Sequence, residues 1–254
     1  MKTLRTIADL QAALEPLRGL RTGLVPTMGA FHAGHLALLR AAYGENDTVV
    51  VSVFVNPAQF GANEDLAGYP RDETRDVELA EAAGVDLLFA PTAEELYPPG
   101  FQTWVEVEEL GRTLEGEHRP GHFRGVATIC LKLFNLIRPE RAYFGQKDAQ
   151  QVAVLKRMIR DLNLDVELVV LPIVRDADGL ALSSRNAYLS PEERELALQL
   201  PQALATKDPA QARARLNGLE VDYVEVADFD PPVLAAAVRV GNTRLIDNVV
   251  LTKE

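Results

Sequence analysis

"GLVPTMGAFHAGHLALL", residues 23–39, is the stretch on which the fold turns. An apolar run at 23–27 gives way to small turn-forming residues and then to apolar positions at helical spacing, which predicts strand, loop and helix in succession. His32 and His35 sit three apart at the loop–helix junction, with Gly34 between them. In an open α/β sheet this junction lies at the carboxyl ends of the strands, where backbone N–H groups and the helix dipole favour an anion. Positions i and i+3 are one turn apart, so both imidazoles can point toward one ligand. A metal pair and a packing pair are the competing readings. The chain has only four His and one Cys, and His118 and His122 lie far off without a carboxylate pair at ligand spacing, so no metal ligand is named. The small neighbours are unlike a core, and Gly34 lets a ligand approach the backbone, so phosphate binding is the expectation.

Outward from this stretch, short apolar runs alternate with amphipathic segments, the mark of βαβ units on a parallel sheet. Strands are expected at 23–27, 47–55, 85–91, 141–145 and 165–174, and helices at 34–43, 72–83, 123–137 and 148–162. Past residue 174 the texture becomes polar and turn-rich. Ser190 then caps a helix that has Pro191 at its first position. A helix near 208–217 follows, then a strand at 220–229 and two more near 235–240 and 244–251, joined by a turn in "VGNTRL". Two domains are expected, 1–173 and 174–254, the second with a thin core.

Composition bounds the function. At 254 residues and 47% hydrophobic content the chain can bury a proper core. A net charge of −11 with dispersed Lys and Arg argues against nucleic acid or an anionic membrane as partner. Any anionic ligand must therefore be held by local donors. The single Cys130, in the apolar "ATICLKLFNLI", reads as a buried inert thiol. Asp9 and Glu15 interrupt the amino-terminal apolar positions, and no run approaches the roughly 20 residues of a membrane helix, so a soluble cytoplasmic protein is expected.

Other residues carry chemistry. Lys147 follows the 141–145 strand, again at a carboxyl end of the sheet, and without a resemblance a solvated surface lysine is the competing reading. Asp148 can cap the next helix, a role that needs no ligand. Ser183, Ser184 and Arg185 form a polar loop. Gln59 and Gln151 each offer a donor and an acceptor, and spacing alone leaves a surface role and a site role equally open. Asn56 reads as part turn former, part site residue.

Longer strings carry a resemblance. "PTMGAFHAGH" (26–35) is similar to the signature of the HxGH nucleotidyltransferases, which transfer the nucleotide part of a nucleoside triphosphate. "VSVFVNPAQF" (51–60), "DLAGYPRDETRD" (65–76), "EGEHRPGHFRGVAT" (115–128), "YFGQKDAQQ" (143–151) and "DGLALSSRNAYLS" (178–190) resemble, in order, segments of the pantothenate synthetase family within that group. The resemblance implies a Rossmann-like, doubly wound parallel sheet with a smaller α+β carboxyl-terminal domain that acts as a lid. It implies condensation of pantoate with β-alanine through a pantoyl adenylate, with ATP and Mg2+, in a homodimer. It implies an ATP site lined by Pro26, Thr27, Met28, Gly29, Ala30, Phe31, His32, Ala33, Gly34 and His35. Gly145, Gln146, Lys147, Asp148, Val174 (through its backbone), Leu182, Ser183, Ser184 and Arg185 extend that site. His35, His32, Lys147, Ser183, Ser184 and Arg185 are the expected catalytic set. Asn56, Gln59, Arg119, His122 and Gln151 are expected at pantoate and β-alanine. Two departures stand out: Ala33 replaces a frequent glutamate, and the segment between Leu204 and Glu220 is shorter than the family expectation. The rival readings are another HxGH nucleotidyltransferase and a non-catalytic nucleotide sensor.

Overall fold

A computed structural model describes residues 1–61 and 66–251, so Asp65, the first residue of the "DLAGYPRDETRD" string, lies outside it. The chain divides into two compact units, Met1–Phe144 with Val154–Leu171, and Gly145–Ala153 with Pro172 onward. The segment Gly145–Ala153 groups with the later unit, a long-range association that local patterning does not carry.

In the first unit the chain runs β1 (Lys2–Leu4), α1 (Ile7–Leu14), β2 (Thr22–Thr27), α2 (Ala33–Glu45), β3 (Thr48–Val53), α3 (Glu73–Ala82) and β4 (Leu87–Phe89). Then come α4 (Ala93–Leu96), α5 (Glu115–His118), α6 (His122–Ile137), β5 (Arg141–Gly145), α7 (Ala149–Asp161), whose first five residues group with the second unit, and β6 (Glu167–Leu171). The sheet order is β1-β4-β3-β2-β5-β6, with β2 parallel to both β3 and β5. Strand order therefore reverses between β2 and β5, the switch point at which an open α/β sheet forms its crevice. Central strands covered on both faces need continuous apolar runs, and Leu24, Val25, Val50, Val51, Leu88 and Phe89 are fully buried. Helix α6 buries Phe123, Val126, Ala127, Cys130, Leu133, Phe134 and Ile137, a stripe at helical spacing. Each large apolar side chain on it contributes about 2 kcal/mol of transfer free energy.

The expected strands prove shorter than their apolar runs. The 47–55 run ends at Val53, where Asn56 caps a 3₁₀ turn at Pro57–Gln59. The 165–174 run ends at Leu171, because Pro172 has no N–H for a ladder. Strand β1, a three-residue edge parallel to β4, is too short to register as a periodicity.

The second unit contains a three-stranded antiparallel sheet, β7 (Glu220–Ala227), β8 (Val233–Val240) and β9 (Thr243–Val250), in the order β7-β8-β9. The helices α8 (Pro191–Ala197), α9 (Gln199–Leu204) and α10 (Pro209–Arg215) share its core. Leu200, Leu204, Leu216, Leu234 and Val238 are its buried apolar centre. Ser190 and Glu193 form a reciprocal capping box at the start of α8. Among the described residues, no helix is long and apolar enough to cross a membrane.

Candidate functional site

The loop leaving β2 is wound by two consecutive left-handed residues, Gly29 (φ 84) and Ala30 (φ 54). Only glycine tolerates the first without strain, and a Cβ there would stand 2.8 Å from Asp76 Oδ2. Asp76 is buried and explains the turn, because its carboxylate accepts the Ala30 N–H at 2.8 Å and the Phe31 N–H at 2.7 Å. Burial raises its pKa above the ordinary aspartate value, against the pull of those two backbone bonds.

The expected reservoir of backbone donors is thus differently used. Gly29 N–H goes to Thr27 Oγ1 at 3.2 Å, His32 N–H to His35 Nδ1 at 3.3 Å, and Gly34 N–H to His32 Nδ1 at 3.1 Å. The two histidines form a capping box for α2, with ring centroids 4.1 Å apart. A nitrogen that accepts an N–H bond must offer its lone pair, so each neutral ring is assigned its proton on Nε2. The amides of this loop are thus largely taken up by Asp76 and by the loop's own side chains. Met28 and His35 are half-buried and Ala33 is exposed, so the residue in the glutamate position faces solvent.

Strand β3 lies beside β2 in parallel register, with Thr27 opposite Val53, so both strands release their loops at the same sheet edge. The β3 loop carries Asn56 and Gln59, both buried. Asn56 Nδ2 donates to Gln59 Oε1 at 2.9 Å and to the Gly125 carbonyl at 3.1 Å, and Asn56 Oδ1 accepts the Ala58 N–H at 3.2 Å. Helix α6 approaches so closely that a Cβ on Gly125 would meet Ala58 O at 2.2 Å. His122, at the start of α6, has Nδ1 2.9 Å from the Gln59 carbonyl and Nε2 3.1 Å from Arg119 Nη1. A carbonyl only accepts and a guanidinium only donates, so this ring carries its proton on Nδ1 and offers Nε2 to Arg119. Asn56, Gln59, Arg119 and His122 are therefore one bonded cluster.

In the second unit Lys147 lies in the 3₁₀ turn Gln146–Asp148 that leads into α7, and Gln151 is half-buried on the first turn of α7. Val174 to Leu182 is a tight hairpin in which the Val174 carbonyl accepts the Leu182 N–H at 3.0 Å. Ser183 caps the 3₁₀ turn Ser184–Tyr188 by accepting the Arg185 N–H. Arg194 clamps the hairpin through Asp176 at 2.6 Å and Asp178 at 2.7 Å. Its guanidinium holds the Asp178 carboxyl below the ordinary aspartate value. Lys147, Ser183 and Arg185 line one small cavity, with Asn186 and Asp247.

Asp76 is the functional candidate that sequence reading missed. A first-turn acid ordinarily reads as a partner of the helix dipole, and nothing local marks this one as turned onto a loop 46 residues earlier.

Comparisons with known proteins bear on the chain's family. A sequence model of the family described as pantoate–β-alanine ligase matches residues 2–250. The chain is 52% identical to the pantothenate synthetase of Moorella thermoacetica over 99% of each chain. It is 50% identical to that of Thermotoga petrophila, covering 99% of this chain and all of the relative. The M. thermoacetica alignment spans 279 positions against 254 residues here, so at least 25 positions have no counterpart in this chain. Among solved structures, pantothenate synthetase from Thermus thermophilus superposes with a TM-score of 0.94 at 46% identity, covering 98% of this chain and 99% of that one. Pantoate–β-alanine ligase from Francisella tularensis, complexed with β,γ-ATP and β-alanine, gives 0.88 at 34% identity over 98% and 97%.

Proposed function

The chain belongs to the pantoate–β-alanine ligase family, and from that premise we propose that it condenses pantoate with β-alanine at the expense of ATP, by way of a pantoyl adenylate and with release of AMP and pyrophosphate. The observation that carries the residue-level reading is the histidine capping box, which commits two Nε2–H donors at the carboxyl end of β2.

The chemistry needs no nucleophilic side chain. Pantoate's carboxylate attacks the α-phosphorus, the bond to the bridging oxygen of pyrophosphate breaks, and the amine of β-alanine then displaces AMP from the acyl carbon. The protein's task is to hold two anions in line and to neutralise charge that grows on phosphorus and leaving group. In this reading His32 and His35 donate to phosphate oxygens, with His35 supporting the departing pyrophosphate. Lys147, Ser183, Ser184 and Arg185 meet the triphosphate charge, and Asp148 and the Val174 backbone meet the nucleoside. Gln59 and Gln151 hold pantoate's hydroxyls and carboxylate, while Asn56, His122 and Arg119 keep Gln59 in place. Magnesium enters with the MgATP substrate. Phosphate oxygens and water can satisfy its octahedral demand.

A cytoplasmic homodimer completes the proposal; light scattering that gives a monomer mass would remove the dimer. The decisive experiment is pyrophosphate–ATP exchange with pantoate as the only acceptor, followed by mass spectrometry of products after β-alanine is added. Exchange and pantothenate formation are expected. Exchange only with a phosphorylated acceptor would instead indicate a different nucleotidyltransferase. Lys147→Ala should slow adenylate formation far more than amine capture, because the triphosphate is present only in the first step.

A further inference from the structure

We propose that Asp247 and Asn248, adjacent on β9, are positioning residues that hold the Lys147 segment and the Arg175–Arg185 loop for the adenylation step. This rests on the function proposed above. Both side chains are buried to about the same degree, 2% exposed, although neither is a residue that a strand core ordinarily accepts. Their register partners across the ladder are Ala236 and Ala235, which leave room for them.

Each residue grips a different arm. Asn248 Nδ2 donates to the carbonyls of Gln146 at 3.0 Å and of Lys147 at 2.9 Å, and its Oδ1 accepts Gln146 Nε2 at 3.1 Å. One amide thereby fixes the backbone on which the Lys147 stem is mounted. Asp247 takes Arg175 in a bidentate ion pair at 2.7 and 3.0 Å. Arg175 in turn donates to the Gly179 carbonyl at 3.1 Å, which ties down the turn of the hairpin that leads to Ser183 and Arg185. The two grips are themselves joined, since Asp247 Oδ1 accepts the Asn248 N–H at 2.8 Å. Lys147, Arg185 and Asp247 line the same small cavity. A charge-neutralising site gains from such fixing because its donors must be in place before charge develops.

The test separates positioning from mere support of the fold. Asn248→Ala should lower the rate of pantoate-dependent exchange by about tenfold to a hundredfold, the range expected of ångström-scale misplacement. The KM for pantoate and the capture of preformed pantoyl adenylate by β-alanine should stay near wild type. Combined with Lys147→Ala, it should add little, because it acts through that side chain; with Arg185→Ala it should add nearly in full. Asp247→Asn, isosteric and gentler on the fold, should show the reverse pattern, non-additive with Arg185→Ala and additive with Lys147→Ala. If Asn248→Ala does not fold, the Asp247→Asn cycle decides alone. Wild-type exchange rates in both variants, or full additivity in every pair, overturn this inference while leaving the proposed function intact. A wild-type protein without exchange overturns the function itself, and this inference with it.

Discussion

His32 caps α2 and His35 closes its capping box from the N3 position, and in the proposed function both are also donors to a phosphate. His35→Ala should therefore cost about 1 kcal/mol in urea unfolding, the value of a lost cap, and should reduce exchange much more than that loss explains. Equal stability would mean the cap bond is idle. His35→Asn keeps a side-chain acceptor for the His32 N–H and should recover stability without recovering exchange. Cys130 offers a contrasting case: burial pushes its thiol up to about 12, so the native protein should not react with a thiol reagent at pH 8, whereas the unfolded chain should show one reactive thiol. At this scale the histidines and Lys147 are legible because a local string marks them. Asp76, Asp247 and Asn248 are not, since each owes its role to a partner at least 45 positions away.

At the scale of elements, the β2 loop depends on α3 and the β3 loop on α6. Asp76→Ala leaves the Ala30 and Phe31 N–H groups without their acceptor. A loss of about 2 kcal/mol or more is expected, since each buried unsatisfied amide costs about 1–3 kcal/mol. Asp76→Asn retains one accepting oxygen and should fall between Ala and wild type in urea midpoint; ATP affinity should follow the same order. Gly125→Ala forces its Cβ against Ala58 O, a backbone atom that cannot swing aside. It should displace Gln59 and raise the KM for pantoate while leaving that for ATP little changed, which steady-state kinetics can check. Most elements could be read from periodicity, because α6 and the central strands carry long apolar patterns. The ends could not, because Asn56 and Pro172 stop strands whose apolar runs continue past them.

For the molecule as a whole, acid is the informative stress. Partners that hold the charged form depress the Asp47 and Asp178 carboxyls, through Arg21 and Arg194 respectively. Stability from a depressed carboxyl is present above the ordinary aspartate value of about 3.9 and is lost as pH falls through the lower folded value. Urea midpoints should therefore fall below about pH 4, and Asp178→Asn should flatten that limb. An unchanged limb would mean the Arg194 clamp contributes nothing to the native state. Burial moves Asp76 the other way, so it favours the native state on acidification, and Asp76→Asn should steepen the same limb.

Composition, periodicity and a few contiguous strings by themselves determined that this is an α/β chain with a smaller sheet after it, and marked the loops after β2, β3 and β5 as carrying candidate residues. Those features are local: a strand's apolar run or a histidine three residues from another is complete within one segment. Only the tertiary structure decided that Asp76 takes the loop's amides, that backbone partners select the imidazole tautomers, and that Asn248 seats the Lys147 segment. Each of these is a hydrogen bond whose geometry folding sets, most of them between groups far apart in sequence, and a chain's linear pattern records which groups it carries but not which of them folding will bring within about 3 Å.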